Sequence, residues 1–155
     1  ASLSKNQKTL LPKLVKTISA ISSSQSGNFS GTCILVYDEM FDLTQNCVGL
    51  RPNAEVPSSL KLGTPSCIDY ILSISRNDHP QHDGFILTDN SGFLTHTSQF
   101  IPVSIDSSLK PHHEYGTRYY SALLATKISG VELIGNVSAK GNAMVFLNGD
   151  VHFIN

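Results

Sequence analysis

HPQHDGFILTDNSGFLTH, residues 79–96, passes from a polar loop into an apolar run and back through a turn. Gly84-Phe85-Ile86-Leu87-Thr88 reads as a short strand. Asn90-Ser91-Gly92 reads as the turn into Phe93-Leu94-Thr95-His96, which makes a hairpin or tight β connection. Asp83 stands where the loop becomes the strand. It reads either as a solvated turn aspartate or as a hard carboxylate held rigid by the strand behind it.

Outward from this stretch, the chain alternates helical and extended patterns. Thr64-Pro65 carries a helix-start signal, because threonine can accept from the free amides and proline fits the first helical position. Cys67, Ile68, Ile71, Leu72 and Ile74 supply the apolar face of that helix, and Asn77 or His79-Pro80 stops it. Earlier, Thr32–Tyr37 is a near-continuous apolar run, the mark of a strand buried on both faces. Leu10, Leu11, Leu14, Val15, Ile18 and Ile21 recur at helical spacing, with Pro12 expected in the first turn and Ser22–Gly27 as the stop. Asp38–Leu62 predicts little beyond a turn at Asp38-Glu39 and a short strand or loop near Cys47–Leu50.

Towards the C-terminus, Phe100–Val103 is expected to be extended, since the residue before proline avoids the helical region. A helix is predicted over Tyr119–Ile128 and strands over Val131–Ile134 and Ala143–Leu147. Asn148-Gly149 is the strongest hairpin signal, because a type I′ turn needs two positive φ angles, and it returns the chain as Val151–Ile154. With no internal repeat or linker, the pattern predicts a single α/β domain over residues 1–155. Its centre is a mixed β-sheet flanked by helices, with residues 1–27 as an N-terminal flanking helix region.

Composition bounds the partners. Charged residues make up 15% of the chain and the net charge is −1, so neither non-specific nucleic-acid binding nor attachment to an anionic membrane is expected. An anionic ligand has to be held by a few placed groups. The apolar runs are too short to span a bilayer, and the three cysteines, Cys33, Cys47 and Cys67, form no close pair. Cys33 and Cys67 read as small core residues in a reducing, cytoplasmic setting.

Two segments carry candidate chemistry. The Asp83 carboxylate is suited to Mg²⁺ or Mn²⁺, and Gly84 permits a ribose or phosphate to approach the backbone. Gly116-Thr117-Arg118 is expected just before a helix, where free amides attract phosphate and a guanidinium offers a planar fork. Each segment also has an ordinary structural reading, as a turn and as a helix start. His79, His82, His112 and His113 invite a metal reading, but the adjacent His112 and His113 need not converge and Pro111 suggests an exposed loop. Neither a Gly-x-Gly-x-x-Gly loop nor a nucleophile elbow is present.

The order of the segments is more specific than any one of them. His82-Asp83-Gly84-Phe85, Ile101-Pro102-Val103-Ser104, Gly116-Thr117-Arg118-Tyr119-Tyr120-Ser121-Ala122-Leu123 and Val137-Ser138-Ala139-Lys140-Gly141 follow one another before the Asn-Gly hairpin. From about Pro65 to Val151 this order resembles the diadenylate cyclase domain family, whose pattern runs HDGA, LPLS, GTRHRAAL and VSEExG. The resemblance implies a diadenylate-cyclase-like fold. It also implies an active centre that joins two ATP molecules into cyclic di-AMP across a face-to-face homodimer, assisted by Mg²⁺ or Mn²⁺. By position, Asp83 matches the metal-linked and catalytic aspartate and Gly84 its partner. Gly116, Thr117 and Arg118 match the phosphate-binding segment, and Ser138 the serine near base or ribose.

The departures fall on the same motifs. Phe85 replaces the family's alanine, Tyr119 and Tyr120 replace its histidine and second arginine, and Ala139 and Lys140 replace its two glutamates. Losing several transition-state contacts costs roughly 3 kcal/mol for each, whereas binding tolerates more change. Arg118 and Lys140 can still hold phosphate, and Tyr119 or Tyr120 can stack on adenine. Alternatively, one tyrosine is core and the other half-exposed. The expectation is a nucleotide-binding sensor or regulatory domain for an adenine nucleotide or cyclic dinucleotide, with a degenerate centre and an attached output domain. An active divergent cyclase and a non-catalytic interaction domain are the alternatives.

Overall fold

The computed structural model describes residues 2–52, 55–109 and 116–154. The chain runs α1 (Lys5–Ser24), β1 (Thr32–Tyr37), α2 (Leu43–Asn46), β2 (Val48–Gly49), α3 (Pro65–Ile74), β3 (Phe85–Thr88) and β4 (Leu94–Phe100). It continues as α4 (Gly116–Ala125), β5 (Val131–Val137), β6 (Ala143–Leu147) and β7 (Asp150–Phe153). The strands form one seven-stranded sheet in the order β2-β4-β3-β1-β5-β6-β7. The pairing of β1 with β3 is parallel and the other pairings are antiparallel, so the sheet is mixed as the sequence predicts.

The apolar run of β1 serves two cores at once. Successive side chains of a strand point to opposite faces. Ile34 and Val36 therefore join α1 and α3 on one side, packing with Leu14, Ile18, Cys67, Ile71 and Val145. Cys33 and Leu35 face the other way, towards Tyr119, Ala122 and Leu123 of α4 and Phe85, Ile134 and Phe146 of the sheet. Gly135 lets α1 come close to β5, because a Cβ there would lie 2.9 Å from Leu14 Cδ1 and 3.0 Å from Ile18 Cγ2.

Several boundaries differ from the sequence expectation for local reasons. Ser4 and Gln7 form a reciprocal capping box, so α1 begins at Lys5 and Pro12 sits in its interior rather than its first turn. Thr64 caps α3 as predicted, its hydroxyl accepting from the Cys67 amide at 3.3 Å. Asp42 accepts from the Thr44 and Gln45 amides and nucleates the four-residue α2, which periodicity cannot reveal at that length. Gly116–Arg118 form the first turn of α4 rather than preceding it. The helix ends at Ala125, where consecutive three-residue turns through Ile128 replace it. Asn148 and Gly149 both have positive φ, 52° and 85°, as the hairpin requires. Among the described residues, no helix is long and apolar enough to cross a membrane.

Candidate functional site

The topology gathers the predicted segments at one end of the sheet. Because β1 and β3 are parallel, with Ile34 opposite Ile86, the starts of both strands lie level. Because β5 is antiparallel to β1, with Thr32 opposite Val137, the end of β5 lies there too. Asp83 and Gly84 precede β3, and Ser138–Lys140 follow β5. Since β1 separates them in the sheet, these groups stand on strands roughly 10 Å apart.

On the β3 side, the geometry turns on a bulge in β4. Phe85 pairs with Gln99 and Leu87 with His96, so β4 carries one extra residue there. Ser98 takes a left-handed φ of 53° within it, a conformation that costs a non-glycine residue roughly 1 kcal/mol or more. The bulge aims the buried Ser98 hydroxyl at Asp83, donating to Oδ1 at 3.0 Å. Its carbonyl accepts from the Leu50 amide at 2.8 Å and so fixes the start of the next residue, Arg51. Arg51 donates through Nη2 to Asp83 Oδ2 at 2.8 Å, through Nε to Pro80 O at 3.1 Å and through Nη1 to Leu50 O at 3.1 Å.

Both Asp83 oxygens are therefore engaged, one by a hydroxyl and one by a cation. Among the described residues, no three His, Cys, Asp or Glu side chains converge as a metal-binding group. His79 and His82 serve their own turn: His79 Nδ1 accepts from the Gln81 amide at 3.0 Å, and His82 Nδ1 lies 2.7 Å from His79 O. His112 and His113 lie outside the described residues. The donor set at Asp83 is thus a single carboxylate already paired with a guanidinium. A divalent ion binds open carboxylate oxygens, its shell completed by water or substrate phosphates, and here Arg51 and Ser98 already occupy both. Gly84 has a local explanation as well. Its φ is +77°, and a Cβ there would lie 2.7 Å from Gln99 O and 2.9 Å from Gln99 N, so the backbone of β4 occupies the space a side chain would take.

On the β5 side, Arg118 reaches from the first turn of α4 and donates through Nη1 to Ser30 O at 2.9 Å. Gly31 makes room for it: a Cβ there would sit 2.6 Å from Arg118 Nη1, 3.0 Å from Val137 O and 3.1 Å from Ala139 N. Arg118 and the turn after β5 thereby meet across Gly31. Among the described residues, Arg118 has no acidic partner. Ser138 accepts from the Asn142 amide at 3.1 Å and shapes this turn, on which Ala139 and Lys140 are exposed. Gly116, with φ +81°, and Thr117 are exposed.

The substituted aromatic positions divide. Tyr119 is 3% exposed and packs edge-on against Phe146 at 5.3 Å between ring centroids, so its ring belongs to the core. Tyr120 is half-buried. Phe85 is buried in the same α4-side core. Cys33 lies there too; burial pushes its thiol up to about 12, with the Arg118 charge acting more weakly in the opposite sense. Asn136, opposite Cys33, is 2% exposed, and its Oδ1 has no hydrogen-bond partner among the described residues.

Sequence reasoning missed Arg51 and Ser98. Arg51 stood in the segment with the weakest pattern, although it is one of three arginines in the chain, with Arg76 and Arg118. Ser98 had no signal, because a bulge is a property of strand pairing.

No protein-family model matches the chain, and no curated protein matches it. Among solved structures, it is similar to a hypothetical membrane spanning protein from Bacillus cereus. The TM-score is 0.62 at 22% identity, over 96% of this chain and 63% of that one. It is also similar to a double mutant of DacA from Staphylococcus aureus, with a TM-score of 0.64 at 16% identity, over 97% of this chain and 89% of that one. The chain thus spans a little under two thirds of the Bacillus cereus protein. At these identities the likeness is one of fold. The mixed sheet with flanking helices is the diadenylate-cyclase-like fold.

Proposed function

We propose that this chain is a nucleotide-binding sensor or regulatory domain of diadenylate-cyclase-like fold, with the catalytic side of its centre closed. The observation that carries this reading is the contrast in charge at the sheet end. Asp83 is paired with Arg51, while Arg118, among the described residues, is anchored to a backbone carbonyl and has no acidic partner. An anchored guanidinium without an acidic partner suits a phosphate group, and Lys140 adds a second cation on the adjoining turn. Tyr120 is available for an adenine ring, and Asn136 Oδ1, unpartnered among the described residues, lies at the same end of β5. ATP, another adenine nucleotide or cyclic di-AMP is the expected ligand class. A cytoplasmic setting, a facing second copy and an attached output domain belong to this reading.

Calorimetry with ATP, ADP and cyclic di-AMP tests it. Binding that weakens in Arg118→Gln is the expected result, and no heat at millimolar ligand overturns it. Incubation of concentrated protein with ATP and Mg²⁺ or Mn²⁺, followed by mass detection, is expected to yield no cyclic dinucleotide. Turnover lost in Asp83→Asn would replace this reading with that of a divergent cyclase. A domain that kept the fold without a ligand has one observation in its favour: Phe85 and Tyr119 fill core volume on the α4 side. It is the reading that stands if every nucleotide fails to bind.

A further inference from the structure

We infer that Arg51 is the resident counter-cation of Asp83 and keeps divalent metal off this carboxylate. The inference locates its site by the nucleotide reading above but concerns the free protein. Three features make the contact a built one. The guanidinium is held at three points, by Asp83 Oδ2, Pro80 O and Leu50 O. The same strained residue, Ser98, supports both partners, its hydroxyl on Asp83 and its carbonyl on the amide of Leu50. The bulge that places Ser98 there spends backbone strain on this arrangement rather than on regular pairing.

A divalent cation binding Asp83 must displace a positive charge 2.8 Å away and break the fork's contact with the carboxylate. Like charges at that range repel even in a high-dielectric setting. A nucleotide bound at this end of the sheet therefore gains no metal bridge to Asp83.

Mn²⁺ alone is the probe, titrated without nucleotide and followed by its electron paramagnetic resonance signal or by water-proton relaxation. The wild-type chain is expected to show no Mn²⁺ binding that depends on Asp83. Arg51→Gln and Arg51→Met are each expected to gain a Mn²⁺ site, tighter than any wild-type binding by roughly tenfold or more, that disappears when Asp83→Asn is added. Far-UV circular dichroism selects the folded variants, and either one suffices. Wild-type Mn²⁺ binding lost in Asp83→Asn overturns the inference, as does a folded Arg51 variant that gains no site. A separate ATP titration in excess chelator reads the nucleotide proposal. Its failure leaves the Mn²⁺ result unaffected.

Discussion

Arg51 and Arg118 stand on either side of β1 at the same end of the sheet, and their surroundings differ in one respect. Arg51 faces a carboxylate that balances its charge, whereas Arg118, among the described residues, leans on Ser30 O without an acidic partner. Arg51 is sited by a strained bulge in β4, and Arg118 by the missing side chain of Gly31. A guanidinium's role follows from what it is paired with more than from its presence in a motif. On this chain the motif arginine is the open one, and an arginine outside any motif closes the motif aspartate.

The largest effect that can break this comparison is on the backbone. Gly84→Ala places a Cβ 2.7 Å from Gln99 O with φ at +77°. It should cost roughly 3 kcal/mol or more in denaturant unfolding, because β4 cannot move without losing its pairing with β3. Gly31→Ala meets the end of the Arg118 side chain first, at 2.6 Å. It should cost less than Gly84→Ala while displacing the guanidinium, so that nucleotide binding suffers more than stability.

Arg118→Gln should weaken adenine-nucleotide binding about tenfold, the value of one lost charge-assisted hydrogen bond. Arg51→Gln should leave binding within about twofold. Its ion pair has side chains 41% and 33% exposed, so screening limits the stability loss to below about 1 kcal/mol. Equal losses of affinity in the two variants, measured by calorimetry, would erase the distinction between the two sides.

Ser98→Ala removes the hydroxyl from Asp83 Oδ1 and should cost about 1 kcal/mol. Ser98→Gly loses the same bond but relieves the positive φ, so it should be the more stable of the two in thermal melts. The smallest effect concerns acid. Burial lowers the pKa of His96 from its ordinary 6.5, so the folded chain holds this ring neutral while the unfolded chain protonates it first. Its contribution to stability is complete above about pH 6.5 and declines as the pH falls below that value. His96→Gln should flatten the fall in Tm with acidification through that window.

Much of the fold was readable because periodicity reports burial. The run at Thr32–Tyr37 predicts a strand covered on both faces, and the two cores against α1 and α4 are what cover it. Thr64-Pro65 and Asn148-Gly149 predict their helix start and hairpin, because cap and turn chemistry are local. α1 starts at Lys5, ahead of the apolar spacing that begins at Leu10, because the Ser4–Gln7 capping box and not periodicity sets its start. α2, at four residues, is shorter than any period can register, whereas β2 at Val48–Gly49 lies within the short strand or loop expected near Cys47–Leu50.

By itself, the sequence determined the α/β class, the order of the motif segments and the residue types that hold charge. Those follow from side-chain spacing and local hydrogen bonding, which act within a few residues. Only the tertiary structure decided which charges meet. Arg51 and Asp83 are 32 residues apart and Arg118 and Ser30 are 88 apart. Their pairing depends on strand order and on one extra residue in β4, which bring together side chains that no local rule of spacing connects.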